Sequence, residues 1–328
     1  MKRRYFTAIT VIILLLSLAA CSPRLNLFNN IREPLREYTL EGKGKYKILL
    51  IPINGMISDM PKKEVIFSSP SIVEQVVAQL NKAEKNGNIK AVIFKIDSPG
   101  GSITASDILY HEILSFKERT KAKIVVSMTD LAASGAYYIS LPADIIIAHP
   151  TTMTGSVGVI FLRPKVKNLM DKIGLGVDVK KFGKYKDMGS PFRNSTEDEE
   201  MLIQKTVDVF GKRFLKLVQK HRNPDKAAFD KIATAQIFTA DEALKVRLVD
   251  KIGYLSDAVK ETKLIANLPA DAPVVMFRHE KAPDINYYKS GTVVSSALNI
   301  SAVNIDFPEM NFKTGFYYLW PESIAYKE

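Results

Sequence analysis

The sequence is poor in the residues that build disulfide frameworks and metal centres. Its 328 residues include one cysteine, Cys21, and four histidines. A single thiol excludes an intrachain disulfide and any cysteine-based metal cluster. His111, His149, His221 and His279 are widely scattered, and none pairs with another at metal-ligand spacing. Thr154-Gly-Ser-Val-Gly158 brackets a serine with glycines but lacks the Gly-Lys-Ser/Thr ending of a phosphate loop, so nucleotide binding is discounted and no cofactor is expected. The net charge is +11, yet there is no dense arginine run and no basic stripe interleaved with aromatics. Nucleic-acid binding is therefore not expected, and a surface facing anionic lipid headgroups suits the charge better. No fixed-period repeat is evident. What is there, 46% apolar and 25% charged residues, describes an ordinary globular protein with room for one large or two modest domains.

The first residues read as a targeting segment. Lys2, Arg3 and Arg4 precede an apolar run from Tyr5 to Leu16, followed by Ser17-Leu18-Ala19-Ala20-Cys21. The run is short for a stable transmembrane span and ends in small residues, as a secretory signal does. Leu18-Ala19-Ala20-Cys21 resembles the lipobox of bacterial lipoproteins. That resemblance implies cleavage after residue 20 and lipidation of Cys21, whose acyl chains would supply membrane affinity at about 0.8 kcal/mol per buried CH₂. Residues 21–44 are polar, punctuated by Pro23, Pro34, Gly42 and Gly44, and are expected to be a tether.

The body alternates strand and helix patterns. Apolar runs at Lys45–Ile53, Ala91–Ile96, Lys123–Met128 and Asp144–Ala148 read as strands, with shorter ones expected at Val157–Phe161 and Val177–Phe182. Ser71-Ile-Val-Glu74, Thr196-Glu-Asp-Glu199 and Thr239-Ala-Asp-Glu242 are capping-box patterns that open helices. The second helix carries Ile203, Val207, Phe210, Phe214 and Leu217 on one stripe, and its acidic first turn suits the helix dipole. Such alternation predicts an α/β domain with a largely parallel sheet over residues 45–268. Residues 269–328, with recurring prolines and extended-looking runs at Pro273–Arg278 and Gly315–Trp320, are expected to be a C-terminal extension.

Four short segments carry the chemistry. Ser134 lies between Ala133 and Gly135 where a strand pattern turns into a helix pattern, a corner that exposes a nucleophile in many hydrolases. The alternative is a plain helix cap. Asp97-Ser-Pro-Gly-Gly101 also joins strand to helix, and its glycines allow backbone N–H groups to form an oxyanion site. Ser156 sits in the glycine-bracketed loop already named. Lys180, Lys181, Lys184 and Lys186 crowd a loop that reaches Ser190-Pro191. A lysine base must be neutral, against an ordinary pKa of about 10.4. Burial and neighbouring positive charge favour neutrality, so the carboxylate of Asp187 is expected to point away. A rival serine triad would use His149 with Asp130 or Asp144. Tyr137 and Tyr138 read as packing residues.

Taken in order, Asp97-Ser-Pro-Gly-Gly101, Ala132-Ala-Ser-Gly135 with Tyr137-Tyr138, Thr154-Gly-Ser-Val-Gly158 and Lys184-Tyr-Lys-Asp187 with Ser190-Pro191 resemble the bacterial signal peptide peptidase A family, serine peptidases of family S49. Ala136 departs from that pattern, where a second glycine is frequent. The resemblance implies a crotonase-like or Clp-protease-like α/β superhelix. It implies Ser134 as nucleophile, Lys186 as general base, Ser156 orienting Lys186, and the N–H groups of Gly101 and Gly135 as oxyanion donors, a Ser–Lys dyad. It further implies a homo-oligomer, an octamer, in which Ser134 and Lys186 meet across a subunit interface. The expected activity is an endopeptidase that degrades residual signal peptides at the bacterial cell envelope, with apolar peptides as substrates and membrane lipid holding the Cys21 anchor. Two other classes compete: a crotonase-type acyl-CoA enzyme, and a catalytically silent membrane-anchored scaffold.

Overall fold

The computed structural model describes residues 34–63, 68–279, 286–288 and 314–321. Cys21, the expected leader and the first part of the expected tether lie outside these residues. In chain order the strands and helices are β1 (Arg36–Glu41), β2 (Lys47–Asn54), the short β3 (Lys62–Lys63) and β4 (Ser68–Ser69), α1 (Ile72–Asn86), β5 (Ile89–Ser98), β6 (Gly100–Ser102) and α2 (Ile103–Thr120). Then come β7 (Lys123–Ala133), α3 (Gly135–Ser140), β8 (Ile145–Ala148), β9 (Met153–Gly155), β10 (Ile160–Leu162), α4 (Lys167–Ile173) and α5 (Glu197–Arg222). The chain continues through α6 (Lys226–Ile232), β11 (Ile237–Thr239), α7 (Ala240–Lys245), β12 (Lys251–Ile252), α8 (Leu255–Ile265), β13 (Val274–Arg278) and β14 (Gly315–Leu319).

The main sheet runs β1-β13-β2-β5-β7-β8-β12. From β13 to β12 every pairing on that path is parallel. One line of register crosses it from Leu50 to Ile93, Val125 and Ile145. Strand side chains alternate between faces, so each strand feeds two cores. Leu49, Ile51, Val92, Phe94, Ile124 and Val126 pack under α1 and α2. Ile48, Leu50, Ile93 and Val125 face Leu255, Ala258 and Val259 of α8. Burial on both faces explains the near-continuous apolar runs. The capping boxes at Ser71/Glu74 and Thr196/Glu199 close with both bonds, and at Thr239 the Glu242 carboxylate accepts from the Thr239 N–H and hydroxyl. Among the described residues no helix is long and apolar enough to cross a membrane.

Three stretches differ from expectation. Arg36–Glu41, read as tether, is a strand antiparallel to β13, and β13 itself, read as extension, joins the main sheet beside β2. The sheet therefore reaches beyond residues 45–268 at both ends. Val177–Phe182 is not a strand; it has no strand partner among the described residues, and its apolar residues Val177, Val179 and Phe182 are exposed. Alternation of apolar and polar residues needs a neighbouring strand to become a sheet, and none of the described strands pairs with it.

Candidate active site

Strand β7 ends at Ala133 and α3 begins at Gly135, which leaves Ser134 on the corner between them. Its backbone takes φ 54° and ψ −114°, a conformation that costs a non-glycine residue about 1–3 kcal/mol. Two hydrogen bonds hold the corner: Ser134 N–H donates to the Gly155 carbonyl (2.8 Å), and Tyr138 N–H donates to the Ser134 carbonyl (2.9 Å). Crowding sets the size of the next residue, because a Cβ on Gly135 would lie 2.4 Å from Ser106 Oγ. The side chain of Ser134 is 1% exposed, makes no cap hydrogen bond to α3, and its Oγ has no hydrogen-bond partner among the described residues. A buried hydroxyl left unpaired costs about 1–3 kcal/mol. The helix-cap alternative thus fails on the one bond that defines it.

The glycine pair borders the same corner. Ile57 N–H donates to the Gly100 carbonyl (2.7 Å), and Ser102 N–H donates to the Ile57 carbonyl (3.0 Å). This parallel bridge uses the groups on either side of Gly101 and leaves the Gly101 N–H aimed the other way. The approach is too close for a side chain: a Cβ on Gly101 would lie 1.9 Å from the Ile57 carbonyl oxygen. Gly100 packs against the Ser134 corner, since its Cβ would lie 2.7 Å from the Gly135 nitrogen. On the free side of β6 lies β14, which also pairs with β10 to make a three-stranded sheet.

Ser156 follows β9, whose Gly155 pairs with Ala133, so the two serines stand on adjacent strand ends. Ser156 has φ 49°, donates its N–H to the Gln236 carbonyl (2.9 Å) and is 9% exposed. Lys186 lies in a loop far more open than this. Lys180 pairs with Asp178 (3.0 Å), Lys181 with Asp187 (2.5 Å) and Lys184 with Asp198 (2.7 Å). The Lys186 amine is exposed and has no ion pair or side-chain hydrogen bond among the described residues. Asp187 turns to Lys181 and to Arg193 (2.8 Å), and Arg193 reaches Glu199 (2.5 Å). Those bonds, Arg193 first, hold the Asp187 carboxyl well below its ordinary range. Arg193 and the Thr196 N–H likewise bring Glu199 down to about 2. The loop is thereby pinned to the start of α5.

The single chain gathers Ser134, Gly135, Gly101 and Ser156, whereas among the described residues no hydrogen bond joins the exposed Lys186 amine to Ser134 or Ser156. The rival triad is not assembled. His149 Nδ1 shares a hydrogen bond with Thr151 Oγ1 (2.8 Å) and its ring meets the edge of Tyr254. Asp144 accepts from Ile124 N–H and pairs with Lys117. The sequence reading had not foreseen the aromatic cluster beside the corner, where Tyr138, Phe214 and Tyr318 pack at 4.9–5.0 Å between ring centroids. Only the extended look of Gly315–Trp320 hinted that the C-terminal run could pair with anything.

Residues 116–268 match Peptidase family S49, and residues 56–154 match the family described as Clp protease. The chain is 39% identical over 190 residues to a Methanocaldococcus jannaschii protein that carries the name of a protease, covering 58% of this chain and 60% of that protein. It is 32% identical over 254 residues to an Enterococcus faecium protein that carries the name signal peptide peptidase SppA, covering 77% of this chain and 73% of that protein. Among solved structures, a ClpP1 mutant from Listeria monocytogenes aligns with a TM-score of 0.42 at 18% identity, covering 64% of this chain and 94% of that one.

Proposed function

The chain belongs to peptidase family S49 and has a Clp-protease-like α/β fold, and from that premise we propose that it is a serine endopeptidase with Ser134 as its nucleophile. The observation that carries the reading is the Ser134 hydroxyl, buried, strained at its backbone and without a hydrogen-bond partner among the described residues. Ser134 Oγ attacks a peptide carbonyl, and the N–H groups of Gly101 and Gly135 stabilise the oxyanion. Lys186 takes the proton from Ser134 and delivers it to the leaving amine, and Ser156 orients the lysine.

In this reading Lys186 comes from a neighbouring copy. Two features support that. Lys186 is the lysine of its loop without a carboxylate partner among the described residues, and the surrounding arm exposes Leu169, Ile173, Leu175, Val177, Val179 and Phe182, an apolar surface of the kind that marks an interface. Assembly into a ring of copies, an octamer by family resemblance, would cover it. Signal-peptide remnants are the proposed substrates because they are apolar and extended and can add to a strand edge. Anchoring through Cys21 at the bacterial envelope would place the catalyst where they accumulate. The acyl-CoA alternative shares the backbone oxyanion donors but leaves the buried serine without a role.

The test is labelling of the assembled protein with a serine-reactive fluorophosphonate. Ser134 is expected to take the label, with none in Ser134→Ala and little in Lys186→Ala. Labelling that survives Ser134→Ala removes the site assignment, and none in the wild type favours the silent scaffold.

A further inference from the structure

Lys186 and Asp187 are neighbours in one run of turns. Lys186 N–H donates to the Gly183 carbonyl (3.3 Å), Met188 N–H to the Tyr185 carbonyl (3.0 Å) and Ser190 N–H to the Asp187 carbonyl (3.1 Å). A base and a carboxylate placed side by side work against each other. A carboxylate close to an amine favours its charged form, and a charged amine takes no proton. Yet no ion pair joins the two among the described residues, because the Asp187 carboxylate is held elsewhere.

Arg193 does most of the holding. Its Nε and Nη2 donate to the two oxygens of the Asp187 carboxylate (2.8 Å each), and Nη2 also reaches the Asp187 backbone carbonyl (3.2 Å). The next edge of the same guanidinium, Nη1 and Nη2, donates to the two oxygens of Glu199 (2.8 and 2.5 Å). A planar fork can grip two carboxylates in this way, and an ammonium cannot. Glu199 is buried and accepts the Thr196 N–H at the start of α5, so the grip is anchored to a fixed point. Lys181 adds a second cation to Asp187 (2.5 Å). Asp187 and Glu199 are thus matched by Lys181 and Arg193, and the group is neutral.

The other charges around the loop are paired off or face solvent. Asp178 pairs with Lys180 (3.0 Å) and Glu200 with Arg163 (2.8 Å). Asp198 holds Lys184 (2.7 Å) and accepts from the Tyr185 hydroxyl (3.5 Å). Lys165 and Glu197 are exposed. We propose that Arg193 is a positioning residue for the Lys186 base: by drawing Asp187 onto Glu199 it keeps the adjacent carboxylate, and its charge, away from the amine that must give up its proton. This rests on the peptidase reading above, with Lys186 as base.

The test is the pH profile of kcat/KM on the assembled full chain, with an apolar donor–quencher peptide as substrate. The rise of kcat/KM with pH reports the base of the free enzyme. Arg193→Gln leaves the group with a net negative charge beside Lys186 and is expected to move that rise up by about one pH unit. Adding Asp187→Asn restores neutrality and is expected to bring the rise back. Lys181→Gln, at a side chain 35% exposed, leaves the same net charge and is expected to move the rise the same way; it takes the place of Arg193→Gln if that variant does not assemble. Glu199→Gln cuts the same tie from its other end but leaves a net positive charge, so the rise should not move up even where the rate falls. A rise that stays in place in Arg193→Gln, or in Lys181→Gln as its substitute, overturns the proposal. So does a shift that survives Asp187→Asn, or an upward shift in Glu199→Gln, either of which would make loosening of the loop the cause. All of these leave the peptidase standing, whereas a wild type without Ser134-dependent hydrolysis overturns the reading beneath it.

Discussion

If Ser134 is the nucleophile, as proposed, function and stability pull in opposite directions there. The residue holds an unpaired hydroxyl in a buried corner and a backbone angle that few side chains adopt. Ser134→Ala removes the unpaired oxygen while keeping the Cβ, so it should leave folding stability unchanged or raise it by up to about 1 kcal/mol. It should also lower the peptidase rate by at least about 10³-fold. Thermal unfolding of the two assembled proteins checks the pair; a variant destabilised by more than about 1 kcal/mol would mean that the hydroxyl serves the fold. Gly101 makes the complementary case. Its Cβ would strike a carbonyl oxygen at 1.9 Å, and a backbone atom yields only if Ile57 parts from β6. Gly101→Ala should lose both activity and melting temperature. Gly176→Ala, with nothing within 4 Å of the new carbon, should change neither.

At the scale of elements, the lysine loop is held by charge. Arg193 joins Asp187 to Glu199, and Glu199 also accepts the Thr196 N–H as half of a capping box. Both carboxylates titrate lower when folded than when free, so their contribution is present above the ordinary range, near 4.5 for Glu199, and is lost as pH falls toward about 2. Protection from hydrogen exchange across residues 180–196, taken relative to the intrinsic rate at each pH, should therefore fall over that window, and Arg193→Ala should lower it at neutral pH. Protection that is flat from pH 5 to 2 would mean that packing holds the loop. The capping boxes at this and two other helices were legible because a cap is decided by residues three apart. Val177–Phe182 was misread because strand alternation is also local, whereas a strand needs a partner that the local pattern does not name. The tether and extension were read too wide for the same reason. β1 and β13 pair with each other across more than two hundred residues of chain, and β13 then docks on β2.

At the scale of the whole molecule, the parts of the proposed site came through the sequence unequally. Ser134, Gly101 and Ser156 sit at strand ends whose turns are written in glycine and serine, and the fold gathers them. Lys186 could be named only by family likeness, and within the described residues of one chain it hydrogen-bonds to neither serine. The exposed apolar arm around it suggests why, and the idea can be tested without a structure of the assembly. Ser134→Ala and Lys186→Ala are each expected to be inactive. If every site takes its serine from one copy and its lysine from the next around a closed ring, co-expressing the two variants in equal amounts creates sites in which an intact serine meets an intact lysine. Random assembly gives that pairing at about a quarter of the sites. Fluorophosphonate labelling and peptide hydrolysis should then recover to about a quarter of wild type, and mixing the purified variants should recover less unless subunits exchange. If instead each copy supplied its own lysine, every site would carry one defect in any mixture, and co-expression would restore nothing.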